Sequence, residues 1–217
     1  MPLVRVAAFS VSIDGFGAGP HQDKDNPLGV RGEELHTWFR NTVAFRRMHH
    51  ESGGAEGVDN DFVNESFRNV GAWILGRNMF GPVRGPWVDQ GGDEWRGWWG
   101  DEPPYHTPVF VLTKYPRLPL EMKGGTTFHF VSDGPESAME QAKKAAGDLD
   151  VRIGGGVATI RHYLIAGAID EMHLAISPVL LGEGENLFEG LNLPQLGFRV
   201  VKSTAGEQAT HVILKRA

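Results

Sequence analysis

The 217-residue chain has no cysteine. That absence excludes disulfide staples, a thiolate nucleophile and any zinc site built on thiolates. It also lacks a long apolar run: nothing in it approaches the about 20 residues that span a bilayer. Its start, Met-Pro-Leu-Val-Arg, has no basic segment followed by an apolar stretch, so no signal peptide is expected and a cytoplasmic location is. Basic residues are in deficit, 21 Lys and Arg against 27 Asp and Glu, for a net charge of −6. A general affinity for nucleic acid or an anionic membrane would need the opposite balance. What the chain does have is glycine, 29 in all, gathered in clusters.

The length suits one domain over 1–217, with no internal repeat or linker to divide it. Leu3–Val11 is a short apolar run closed by Asp14-Gly15, and reads as a buried strand. Gly15–Gly32 reads as a long loop, Glu33–Met48 as one amphipathic helix and Val58–Val70 as a second with Phe62 and Phe67 inward. Strands are expected at Ala72–Leu75, Val109–Leu112, Phe128–Val131 and Val151–Ile153. Residues 81–106 form a loop, and a helix spans Gly134–Ala146, with Asp133 as its cap, Pro135 in its first turn and Gly147 after it. A further helix runs through Ala166, followed by strands at Asp170–Pro178, Gly197–Lys202 and His211–Lys215. Strands and helices alternate and the end turns mostly β. That order predicts an α/β fold with a mostly parallel sheet and an antiparallel C-terminal edge.

Three strand exits carry the chemistry. In Val151-Arg152-Ile153-Gly154-Gly155-Gly156-Val157-Ala158-Thr159 a strand stops, three glycines follow and a helix begins. Backbone N–H groups at such a helix start, with no Cβ in the way, suit a pyrophosphate; a tight turn without a ligand fits the local pattern equally well. Thr159 stands where the G-x-G-x-x-G fingerprint has its last glycine. Gly76-Arg77-Asn78-Met79-Phe80 repeats the geometry after the strand AWIL, with Arg77 either a phosphate partner or a surface arginine. The third exit, Thr113-Lys114-Tyr115-Pro116-Arg117, is a basic spot suited to a 2′-phosphate, or a solvated loop.

Taken in order, these exits resemble the dihydrofolate reductases: LGRNMFG their glycine-arginine turn, VFVLTKYPR the strand leading to the adenosine phosphate, and IGGGVATIRHYL the glycine turn under the NADPH pyrophosphate. Ser12-Ile13-Asp14-Gly15 and AIDEMHLAISPVLLGEGENLFEGL are similar to the reductase domain of bacterial riboflavin biosynthesis. The resemblance implies a dihydrofolate-reductase-like three-layer α/β/α fold, NADPH as reductant, a small-molecule substrate and commonly a homodimer. The implied activity is hydride transfer to a planar heterocycle or a ribosylaminopyrimidine, as in a 5-amino-6-(5-phosphoribosylamino)uracil reductase. Alternatives are a dihydrofolate or pterin reductase, and a nucleotide- or flavin-binding module without turnover. The zinc deaminase that often accompanies the riboflavin domain needs cysteines this chain lacks. Ile153 also stands where that domain tends to have Glu before its glycines.

On this resemblance the cofactor residues are Gly76, Arg77, Asn78, Thr113, Lys114, Gly154, Gly155, Gly156, Val157, Ala158 and Thr159. The catalytic candidates are Asp14 and Glu34. Glu34 and Trp38 stand at i, i+4 and would share a helix face, with Glu34 anchoring or protonating substrate and Asp14 ordering the loop or binding substrate. Trp87, Trp95, Trp98 and Trp99 either stack on a flat ring or pin the loop. No metal site is expected, since His49-His50 are adjacent and there is no H-E-x-x-H. Asp59 is read as a helix cap and Asp61 as a solvated first-turn charge.

Overall fold

Short runs of Val, Ile and Leu bounded by glycine bury both faces only in a parallel sheet covered on either side. The computed structural model has that arrangement; it describes residues 1–81, 84–87 and 95–217. The strands are β1 (Val4–Ser12), β2 (Phe16–Ala18), β3 (Val70–Gly76), β4 (Pro108–Leu112), β5 (Leu120–Glu121), β6 (Thr127–Val131), β7 (Asp150–Gly155), β8 (Glu171–Ser177), β9 (Glu185–Asn186), β10 (Phe198–Ala205) and β11 (Thr210–Arg216). The helices are α1 (Thr37–Arg40), α2 (Val43–Met48), α3 (Val58–Ser66), α4 (Arg77–Phe80), α5 (Pro135–Ala146) and α6 (Val157–Ile165).

Among the described residues the main sheet has nine strands in the order β10-β11-β8-β1-β7-β3-β4-β6-β5. Its centre, β8 to β6, is parallel throughout, while β11 pairs antiparallel with β8 and with β10. The expected mixed sheet with an antiparallel C-terminal edge is therefore the one observed. Two short pairings were not foreseen: β5 closes the other edge antiparallel to β6, and β2 pairs with β9 inside what reads as loop.

Alternation along the strands assigns the faces. Ala72 and Ile74 of β3 and Phe110 of β4 pack with Ala138, Met139 and Ala142 of α5 and Ile160 and Leu164 of α6. Trp73, Leu75, Val109 and Val111 turn the other way, onto Phe80, Tyr105 and Phe128. On that second side α1, α2 and α3 bury Trp38, Ala44 and Val63 against Ala175 of β8. Helix α5 stops at Gly147, whose φ of 60° is left-handed and needs no Cβ. The expected cap Asp133 does not cap it; Gly134 holds that position and the Asp133 carboxylate accepts from the Ser137 hydroxyl instead.

The single helix expected over Glu33–Met48 is broken. Arg31 takes a φ of 61° and launches a 3-10 turn, Gly32–His36, before α1 and α2. The Thr42 hydroxyl accepts from the Phe45 N–H and restarts the chain as α2. Helix α3 ends at Ser66, before the expected Val70, which opens β3. In β1, pairing with β8 slips between Val6 and Phe9, and Ala8 at the slip has a φ of 52°. Among the described residues no helix is long and apolar enough to cross a membrane.

Candidate active site

Parallel strands all deliver their C-termini to one end of the sheet, and ligands of open α/β sheets sit there. A cleft of about 470 Å³ opens at that end. It is lined by Ala8, Phe9 and Ser10 at the β1 slip, Gly76 where β3 stops, Gly154 and Gly156 where β7 stops, and the first residues of α6.

One end of the cleft is backbone. The first hydrogen bond inside α6 runs from the Ile160 N–H to the Gly156 carbonyl, leaving the N–H groups of Val157, Ala158 and Thr159 without helical acceptors. Gly156 caps the helix with no side-chain bond, so among the described residues no side chain caps those donors. A Cβ at Gly76 would stand 2.6 Å from Thr159 Oγ1, so β3 and α6 approach this closely only with glycine at that position. A Cβ at Gly156 would meet nothing within 4 Å. Gly155 and Gly156 are joined by a cis peptide bond.

Arg77 and Asn78 also line the cleft. The Arg77 guanidinium lies 3.6 Å from the centroid of the Trp87 ring and donates to the Gly81 carbonyl. Burial, then the neighbouring Arg117 charge, lowers its pKa to about 10, still well above neutrality. Asn78 donates to Gln22 Oε1 at 2.7 Å, and its Oδ1 has no partner among the described residues. Thr113 and Lys114, at the exit of neighbouring β4, do not line the cleft; Lys114 is exposed and Thr113 Oγ1 accepts from the Tyr115 N–H.

The other end is aromatic. Trp73 meets Tyr105 edge-on at 4.9 Å, and His49 stacks on Trp99 at 5.3 Å. Burial pushes the Tyr105 phenol up to about 12, so it stays protonated. Arg152, 6% exposed, sits among them, its guanidinium 4.2 Å from the Trp73 ring centroid and 4.8 Å from that of Phe67. Its Nη1 donates to the Ser66 carbonyl and hydroxyl, its Nη2 to the Ala7 carbonyl, and its Nε to nothing among the described residues. Burial, then the Arg5 charge, brings its pKa down to about 9, so it remains a cation at neutral pH. Arg152 and Trp73 escape the motif-based reading. A charge in the middle of the apolar run Val151–Ile153 is the signal that marks Arg152.

Behind the cleft wall a buried relay holds the β1 slip. The Ala8 N–H donates to His173 Nδ1 at 3.1 Å, which leaves His173 Nε2 as the donor to His211 Nδ1 at 2.9 Å. His211 Nε2 then donates to Asp59 Oδ1 at 2.7 Å. Phe62 stacks over both imidazoles, at 4.4 and 4.1 Å. Asp59 is thus no helix cap: Gly57 caps α3, and Asp59 is buried as the end of the relay.

The two catalytic candidates lie elsewhere. Glu34 is exposed and grips Arg31 through both oxygens, at 2.8 and 3.0 Å, which holds its carboxyl below the ordinary range. It shares no face with Trp38, which is 1% exposed and donates to Ser10 Oγ at 2.9 Å. The expected i, i+4 pair fails because Glu34 stands in a tighter 3-10 turn and Trp38 in a separate helix. Glu34 therefore neither lines the cleft nor holds a proton to donate. Asp14 receives the N–H groups of Leu181 and Gly182, at 3.2 and 2.7 Å, and so ties the β1 exit to that turn. Its carboxyl is held low chiefly by its bond with Ser12. Of the four tryptophans, Trp98 and Trp99 line the cleft, while Trp87 and Trp95 pack in the second-side core and donate to the carbonyls of Tyr115 and Phe80.

Solved structures share this architecture. A Shewanella sp. PV-4 protein assigned to riboflavin biosynthesis superposes over 100% of this chain and 99% of its own, with a TM-score of 0.60 and 24% identity. The diaminohydroxyphosphoribosylaminopyrimidine deaminase/5-amino-6-(5-phosphoribosylamino)uracil reductase of Thermotoga maritima superposes over 100% of this chain with a TM-score of 0.52 and 16% identity. Acinetobacter baumannii RibD gives 0.54 and 18%, also over 100% of this chain. The chain spans only 57% and 58% of those two proteins. A curated relative, the uncharacterized protein YyaP of Bacillus subtilis, is 33% identical over 78 residues, 34% of this chain and 41% of YyaP. Residues 4–212 match the family described as the RibD C-terminal domain, and the chain belongs to that family.

Proposed function

We propose that the protein is an NADPH-dependent reductase that transfers hydride to a small planar heterocycle or ribosylaminopyrimidine, in the manner of a 5-amino-6-(5-phosphoribosylamino)uracil reductase. The observation that carries this reading is the uncapped start of α6 facing the β3 exit across one cleft. Membership of the RibD C-terminal family supports it, as does the reductase named in the Thermotoga protein.

The nicotinamide cofactor supplies the hydride when bound. The N–H groups of Val157, Ala158 and Thr159 hold its pyrophosphate, with Gly154, Gly155 and Gly156 keeping side chains out of the way. Gly76 allows β3 to approach, and Arg77 and Asn78 flank the same anion. Thr113 and Lys114 hold the 2′-phosphate at the next strand exit. The aromatic end orients the acceptor ring and keeps water from it. Asp14 acts as an organiser of the turn at 181–182, with no proton to give.

The test is titration with NADPH and NADH, followed by loss of NADPH absorbance with a panel of planar acceptors. Ligand that binds only the native state raises its melting temperature. NADPH is expected to do so, and Lys114→Ala to narrow its advantage over NADH by about tenfold, ~1.4 kcal/mol. Binding of neither nucleotide refutes the reading, and an unchanged preference in Lys114→Ala removes that residue from the phosphate site.

A further inference from the structure

The aromatic end of the cleft holds a cation without an anion. Arg152 is 6% exposed, and no carboxylate lies within 4.0 Å of it among the described residues. Its neighbour Arg5 is spoken for, 3.3 Å from the Asp150 carboxylate. Among the described residues its acceptors are two carbonyls and a hydroxyl, all neutral, and Nε has none. Burying a charge without a counter-charge is costly, and protein interiors ordinarily supply one.

The described lining of the cleft does not supply it either. The one acidic side chain there, Glu185, is bound to Arg84 at 2.5 Å. The candidate carboxylate, Glu34, is held outside by Arg31. A ring with a protonated amidine edge would find no acid at the inner end and would meet Arg152. A ring bearing its own negative charge would complete a pair whose guanidinium is already fixed in orientation by Ala7, Ser66 and the two aromatic faces.

We propose that the inner end of the cleft is a receptor for an anion carried on a planar aromatic ring, a ring carboxylate or ring oxyanion, with Arg152 as its counter-charge and Trp73 and Tyr105 as its walls. The proposal rests on the reductase reading only in calling this ligand a substrate.

Three ring-matched probes test it by calorimetry: naphthalene-2-carboxylate, naphthalene-2-carboxamide and 2-naphthylmethylamine. The wild-type protein is expected to bind the carboxylate at least about tenfold more tightly than the amide, and the amine least. Arg152→Met should bring acid and amide to parity. Arg152→Lys keeps a cation on β7 but loses the planar fork, and should retain only part of the preference. Equal affinities in the wild-type protein overturn the proposal without any variant, and leave Arg152 as a strut joining α3 to β1. A preference that survives both substitutions overturns it as well, since another cation then receives the acid. NADPH titration of the same samples separates the two readings: its failure strikes the reductase assignment and not the acid preference.

Discussion

Acid should destabilise this protein through His173 more than through any surface charge. His173 is 6% exposed and stacked on Phe62, and its Nδ1 already accepts the Ala8 N–H. A second ring proton would have to displace that donor in a site that also faces His211, Arg152 and Lys202. Burial foremost, then those charges, lowers its pKa from 6.5 to about 3. Unfolded, the same imidazole takes up its proton near 6.5, so from there downward the unfolded chain binds the extra proton and the folded one does not. The contribution is complete above pH 6.5 and is lost as the pH falls toward 3. Between pH 7 and pH 5 the loss from this one residue is about 2 kcal/mol. The comparison is wild type against His173→Gln, whose amide can accept from Ala8 and donate to His211 without titrating. Urea unfolding at pH 7, 6 and 5 should show the wild type losing about 2 kcal/mol more than the variant across the range. His36, half-buried and lowered to about 4 chiefly by desolvation, and His211 titrate in both proteins and cancel in the difference. Equal losses would refute the reasoning, since His173 would then be titrating alike in both states.

Two further perturbations read other parts of the structure. Asp150→Ala strips the buried Arg5 of its partner at 3.3 Å and the Leu3 N–H of its acceptor at 2.8 Å, and should cost about 3–5 kcal/mol in urea unfolding. Asp101→Ala, which removes the exposed pair with Lys123, should cost under about 1 kcal/mol, and similar losses in the two would contradict the burial argument. Gly76→Ala forces a Cβ to within 2.6 Å of Thr159 Oγ1 and 3.1 Å of the Gly156 nitrogen. It should weaken NADPH binding by roughly tenfold, ~1.4 kcal/mol, with the circular dichroism retained, and undiminished affinity would separate this glycine from the cofactor end.

The parts legible in the sequence are those written into local backbone demands. Gly76 and Gly154–Gly156 mark strand exits because a chain that stops, turns and starts a helix at close quarters excludes side chains. The existence of β3 and β4 as short apolar strands and the glycine stop of α5 were legible from local sequence as well. What escaped was non-local. His173 and His211 are 38 residues apart and Asp59 precedes His211 by 152, so nothing in their flanks announces the relay. Helical spacing misplaced Glu34 because a left-handed residue, Arg31, tightened the turn that follows it. β2 and β9, with three and two residues, are too short to carry a period. Arg152 stood in plain view as a charge within an apolar strand, but its partners on α3 and β1 come from folding alone.

The slip at Ala8 acts as a parity switch. Val4 and Val6 pack into the core beneath α5 and α6, and so does Val11, an odd number of residues further on. In an unbroken strand of period two, Val11 would face the opposite way. The extra residue exchanges the faces once, so that Phe9 and Val11 continue the core while Ser10 turns to receive the Trp38 indole. A one-residue deletion at Ala8 would be felt well beyond an alanine's worth of packing. It would close the slip and leave Phe9 and Val11 on the core face, but would take away the N–H that His173 receives and the Ala8 lining of the cleft.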